Sequence, residues 1–294
     1  MRLLLALAGV AAALAAAGGA ARGQEPGLSP LEGLGTWVDV YDGGVYADPE
    51  GAAARIAARG VRTVFAETAN DRTATDVVRP AELGRLVDAL QARGVAVVAW
   101  YLPGFVRPAL DLRRTRAMLR FRTPLGASFD AVALDIESPR NRNAAQRTKR
   151  LLALAGRLRV EAGTLPVYAI TLPPRMLERR PTAWPGFPWE RLAPLVDGFV
   201  PMAYTGSAFR GYEATYGYVA RSLALLRTLT LDPELRIHAA GGVADRMGPD
   251  ELRAFADAVA DDGRVVGWSL YDYATTRPAA WRALAPLGGT GAGP

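Results

Sequence analysis

The chain has 294 residues, half of them hydrophobic and 22% charged, enough apolar side chain to bury a sizeable core. Its formal charge is +6, nearly all the cations are arginine, and it has no cysteine, one histidine (His238) and one lysine (Lys149). That scarcity excludes thiol catalysis, cysteine-ligated zinc and multi-histidine metal sites, and leaves mainly carboxylate and tyrosine chemistry.

The elements follow in chain order. Leu3 to Ala17 form an apolar run behind Arg2, and Ala21-Arg22-Gly23 offers signal peptidase its small residues. Residues 1–23 therefore read as a cleavable signal peptide removed after Gly23, and the protein is expected to be secreted or extracytoplasmic. The run of about 15 residues is shorter than the roughly 20 that span a bilayer, so no membrane span is expected once the leader is gone. Without cysteine there is neither a lipid anchor nor a disulfide. Residues 24–34 read as a linker.

From Thr36, short β-branched runs alternate with longer amphipathic segments. The predicted strands cover 36–41, 61–67, 95–101, 131–137, 166–171, 198–204, 236–241 and 265–271. Helix signals fall between them: Asp48-Pro49-Glu50 starts one that Gly60 ends, and the same grammar recurs at Pro80 with Gly94 and at Pro249 with Gly263, with a last start at Pro278. Eight strand-helix units predict an α/β fold, a single (β/α)8 TIM barrel over 35–287, followed by a disordered tail at 288–294. An open doubly wound sheet would need a glycine-rich dinucleotide loop after the first strand, where the chain has Asp42-Gly43-Gly44-Val45-Tyr46. Arg113, Arg114, Arg116, Arg120 and Arg122 recur at helical spacing and read as a solvated face, so no nucleic-acid partner is expected. Lys149, in a helical stretch, is discounted as a Schiff-base residue.

Function in a barrel sits where the strands end. Polar residues collect there: Asp39 and Asp42 on the first strand, Glu67 on the second, Asp135 and Glu137 on the fourth, Thr171 on the fifth, Tyr204 on the sixth and Asp272 on the eighth. Strand residues two apart share a side, so Ala133, Asp135 and Glu137 face the axis together and bring two carboxylates to the mouth. Neighbouring carboxylates in a partly dry site raise one another's proton affinity, which supplies a general acid near neutral pH. Trp37, Trp100, Tyr101, Trp184, Phe187, Trp189, Tyr204, Trp268, Tyr271 and Tyr273 lie on the strands or in the loops beyond. Flat rings stack on sugar C–H faces while acids bind hydroxyls, so an aromatic, acidic cleft points to a carbohydrate partner.

The segment Asp130-Ala131-Val132-Ala133-Leu134-Asp135-Ile136-Glu137 resembles the fourth-strand motif of family 18 glycoside hydrolases, the chitinase and hevamine group. Met202-Ala203-Tyr204 resembles that family's sixth-strand motif, and Trp268 in Gly267-Trp268-Ser269-Leu270 its eighth-strand tryptophan. Two positions depart: Ala133 and Thr205 stand where the family carries aspartates. Over its full length the chain is similar to exported bacterial barrels. The resemblance implies Glu137 as general acid, Asp135 orienting an acetamido group and Tyr204 supporting the intermediate. Asp39, Glu67, Trp100, Tyr101, Met202, Trp268 and Asp272 are the expected substrate-binding residues, with no metal and no cofactor. Glu137 could instead pair with Glu67 or Asp39 as nucleophile or base.

Other readings stay open. A barrel that binds glycan without cleaving it would also suit Ala133. Asp135, Glu137 and Glu67 could hold Mg²⁺ or Ca²⁺. Ala239-Ala240-Gly241-Gly242 resembles a phosphate loop of metabolite-handling barrels. His238 reads as a hydrogen-bonded core residue, and no nucleophile elbow presents a serine to it. Oligomeric state is not legible.

Overall fold

The computed structural model describes residues 29–205 and 209–289. The expected leader, the first part of the linker and the final five residues lie outside the described residues.

The strands are β1 (Gly33–Val38), β2 (Thr63–Asn70), β3 (Ala96–Leu102), β4 (Ala131–Ile136), β5 (Val167–Thr171), β6 (Gly198–Pro201), β7 (Ile237–Gly242) and β8 (Val265–Tyr271). They pair in sequence order, all parallel, and β8 closes on β1, giving a single α/β barrel. Around it run α1 (Gly43–Ala47), α2 (Pro49–Ala57), α3 (Pro80–Gln91), α4 (Pro108–Arg120) and α5 (Ala144–Ala162). The circuit continues with α6 (Pro174–Arg179), α7 (Trp189–Leu192), α8 (Tyr212–Thr230), α9 (Pro249–Asp262) and α10 (Pro278–Leu284).

Proline opens α2, α3, α4, α6, α9 and α10, where its fixed φ suits the first turn and its missing N–H costs no helical bond. Asp48 caps α2 by accepting from the Gly51 amide at 3.1 Å. Gly60, Gly94 and Gly263 follow their helices at positive φ, as their placement in the sequence predicts.

Strand ends differ from the sequence expectation where the backbone turns locally. β1 starts at Gly33 and stops at Val38, so Asp39 to Tyr41 belong to the loop, pinned by the Asp39 carboxylate accepting from the Tyr41 amide at 2.7 Å. The linker reading of 24–34 ends too late: Leu31 is fully buried in the barrel. β6 ends at Pro201 because the Ala203 and Tyr204 amides bond to carbonyls only two residues back, which bends the chain out of the ladder. At the other end, a 3-10 helix (Ala285–Gly289) runs past the expected tail boundary.

Inward-facing residues fill the barrel with alternating large and small groups. Trp37 stacks on Phe65 at 4.4 Å between ring centres, with Val98, Ala131, Ala133, Tyr168 and Ile170 nearby. Below them Leu31 closes the floor. Its carbonyl can only accept, so the His238 Nδ1–H donates to it at 2.9 Å, which leaves Nε2 to accept from the Ser269 hydroxyl at 2.9 Å. The Trp37 indole N–H donates to the same Ser269 oxygen at 2.9 Å. His238 is thus a core residue, and burial pushes it down to about 4, holding the ring neutral. Gly267 admits this arrangement: a Cβ there would lie 2.1 Å from the Leu31 carbonyl oxygen.

Lys149 is exposed on α5, but the arginine run on α4 is not uniformly solvated. Arg114 is 2% exposed and donates to the Asn70 and Thr73 carbonyls, which fixes the loop after β2.

Candidate active site

At the C-terminal end of the strands the barrel opens into a cavity of about 380 Å³. Glu67 and Asn70 of β2, Trp100 of β3, Asp135 of β4, and Glu137 just beyond β4 form its inner walls. Met202 and Tyr204 just beyond β6 and Tyr271 of β8 face them, while Tyr41, 73% exposed, stands at the mouth.

Strand parity puts Asp135 here. Ala131 and Ala133 face the axis, so Asp135, two residues on, emerges at the floor, and Glu137 follows above it. Asp135 is 5% exposed, and neither of its oxygens accepts a hydrogen bond among the described residues. Glu137 likewise has no hydrogen bond or ion pair there. Burial first, then the neighbouring Glu137 and Glu67, raise Asp135 well above the usual carboxylate range. Burial also raises Glu137. The phenol of Tyr204 is pushed up by burial and by Asp135, Glu137 and Asp272, and so stays a neutral donor. Three unengaged polar groups therefore face one space.

Glu67 is held differently. Its Oε2 accepts from the Val40 amide and its Oε1 from Asn70 Nδ2, both at 3.0 Å. Asn70 also donates to the Tyr41 hydroxyl at 3.2 Å. Burial outweighs these bonds and pushes Glu67 up to about 7. Asn70 escapes a sequence reading because strict alternation from Glu67 would turn it outward. The register of β2 against β3 shifts between Glu67 and Ala69, so Ala69 packs under the helices and Asn70 turns in. The rim loops add a further pair with no motif to announce it: Arg140 after β4 meets Asp71 after β2 at 2.9 Å.

Of the residues expected from sequence, Glu137, Asp135, Tyr204, Glu67, Trp100 and Met202 line the cavity. Others do not. Trp268 lies on the opposite face of β8 from Ser269, packed in the outer core between sheet and helices, because Ser269 points inward to Trp37 and His238. Tyr101 is also turned outward by alternation from Trp100, and its hydroxyl donates to Asp111 of α4 at 2.7 Å. Asp39 stands behind the wall, its Oδ2 accepting from the Tyr271 hydroxyl at 2.8 Å. Asp272 accepts from the Thr275 amide at 2.9 Å and stabilises the turn toward α10. Trp184, Phe187 and Trp189 pack on one another outside the barrel, with the Arg147 guanidinium 3.8 Å over Trp184.

A different acidic group forms behind the wall. Asp39, Asp42 and Asp272 each bring an oxygen within 4.8 Å of the others. Burial and Asp39 push Asp42 up to about 7. Its Oδ2 accepts from the Asp39 amide at 3.0 Å, and the other two carboxylates hold the bonds given above, so the group is tied into the loops after β1 and β8. Gly241 of the apparent phosphate loop has a packing role, since a Cβ there would lie 2.8 Å from Leu270 and Phe255.

No protein-family model and no curated protein matches the chain. Solved structures share its architecture. The spore cortex-lytic enzyme SleL of Bacillus cereus superposes with a TM-score of 0.65 over 87% of this chain and 74% of its own, at 10% identity. A chitinase from Chromobacterium violaceum ATCC 12472 gives 0.62 over 87% of this chain and 98% of its own, at 12% identity. A GH113 beta-1,4-mannanase gives 0.60 over 88% and 98%, also at 12% identity. The chain shares with these enzymes the architecture of a single (β/α)8 barrel.

Proposed function

We propose that the protein is an exported glycoside hydrolase that cleaves a polysaccharide or cell-wall glycan, with Glu137 as general acid and Asp135 assisting. The observation that carries this reading is the unengaged Glu137 carboxyl beside the unengaged Asp135 in an open, ring-walled cavity. A structural carboxylate in so dry a place would be hydrogen-bonded or paired with an arginine. The apolar leader of residues 1–23 supports export.

The chemistry follows from the protonation states. Burial keeps a proton on Glu137 at a pH where an ordinary carboxyl has lost it, and that proton passes to the glycosidic oxygen as the bond to the anomeric carbon breaks. Positive charge then grows at the sugar ring, where the carbonyl oxygen of the Asp135 carboxyl faces it and the Tyr204 hydroxyl can donate to a ring substituent. Water attacks the anomeric carbon and returns its proton to Glu137. Trp100 and Tyr271 offer faces to the sugar rings.

The test is release of reducing ends from a panel of cell-wall and storage polysaccharides. Turnover of at least one supports the proposal. Binding without turnover on any of them would favour a lectin-like barrel.

A further inference from the structure

The electrostatics of the cavity are one-sided. Glu67, Asp135 and Glu137 line its inner end, and Asp39, Asp42 and Asp272 stand close behind. Among the described residues none of these six carboxylates forms an ion pair with an arginine or lysine. The cationic residues that line the cavity are Arg72 and Arg140, both from rim loops, and Arg140 is already paired with Asp71. A buried carboxylate without a cation must keep a proton or acquire a positive ligand.

We propose that the cavity takes a glycan bearing free amino groups, with the ammonium of a hexosamine unit seated against Asp135 and Glu67 in the space walled by Trp100, Tyr204 and Tyr271. This rests on the glycan reading above and names its substrate class. An ammonium brings three donors and a unit charge. Asp135 has both oxygens free of internal donors, and each oxygen of Glu67 has accepted a single bond, which leaves further lone pairs. Aromatic faces attract a cation as well as a sugar ring. A neutral N-acetyl group would bring one N–H and no charge. The net positive charge of the chain, with or without its leader, repels a cationic polymer at long range, so a preference for one must arise inside the cavity.

The experiment is calorimetric titration of the full chain carrying Glu137→Gln, a substitution expected to halt turnover during the titration, at about pH 5, where the sugar amine is almost fully protonated. The ligands are the glucosamine tetramer of chitosan, the corresponding chitin tetramer and a galacturonic acid tetramer. Charge-assisted hydrogen bonds to Asp135 predict that the amine tetramer binds roughly tenfold or more tightly than the N-acetylated one. Adding Asp135→Asn, or separately Glu67→Gln, should remove most of that preference in proteins whose melting curves remain cooperative. Equal or tighter binding of the chitin or galacturonic acid tetramer overturns the inference while leaving the hydrolase reading intact. A preference that survives both added substitutions also overturns it, as does no binding of any tetramer; the polysaccharide panel then decides the hydrolase reading separately.

Discussion

The Tyr271 hydroxyl donates to Asp39 Oδ2 at 2.8 Å, tying the last strand to the loop after the first at the point where the barrel closes. The same ring forms part of the cavity wall and lies 5.8 Å from Tyr204, so a single hydrogen bond fixes both the closure and an aromatic face. Tyr271→Phe leaves the buried Asp39 with one fewer donor. The expected loss is about 1–3 kcal/mol in a denaturant titration, together with a raised KM.

Trp100 and Trp268 stand on opposite faces of the sheet, one in the cavity wall and one in the outer core. Trp100→Phe should weaken glycan binding, because that side chain lines the cavity, while Trp268→Phe should lower the melting temperature with little change in KM. Parallel measurement of Tm and KM for the two variants checks the orientation directly.

Stability should carry two opposed pH signatures. His238 is held down to about 4, so between about pH 6.5 and 4 the unfolded chain takes up a proton that the folded chain refuses. The stability tied to a neutral His238 is therefore lost as pH falls through that window, by up to about 3 kcal/mol. Asp42 is raised to about 7 and acts in the other direction: its favourable share is present below the ordinary carboxylate range and is lost as pH rises to about 7. Asp42→Asn should consequently stabilise the protein at about pH 8 by a few kcal/mol and by less at about pH 5. Urea titrations at the two pH values would show whether the gain grows with pH.

Gly267 faces the Leu31 carbonyl so closely that Gly267→Ala must move the barrel floor. The expected cost is at least about 3 kcal/mol, seen as a large fall in Tm.

Much of the architecture was legible from periodicity and punctuation. Pro49, Pro80, Pro249 and Pro278 open helices where the sequence places them, and Asp135 and Glu137 reach the mouth by alternation from Ala133. Tyr101 and Trp268 have rings that suit a sugar cleft, but alternation turns both to the outer face, since Trp100 and Tyr101 cannot both face the axis of a regular strand. Asn70 was hidden by a register shift that only the pairing of β2 with β3 displays. The roles of Arg114 and Arg140 depend on contacts between segments far apart in sequence, which no local pattern encodes.

The central claim is that Glu137 delivers the proton to the departing oxygen, and the most direct measurement compares turnover and affinity of Glu137→Gln on whichever glycan the parent protein cleaves. The expected result is a fall in kcat of about 10²–10⁴-fold with Kd essentially unchanged. A variant that keeps near-parental turnover would contradict it.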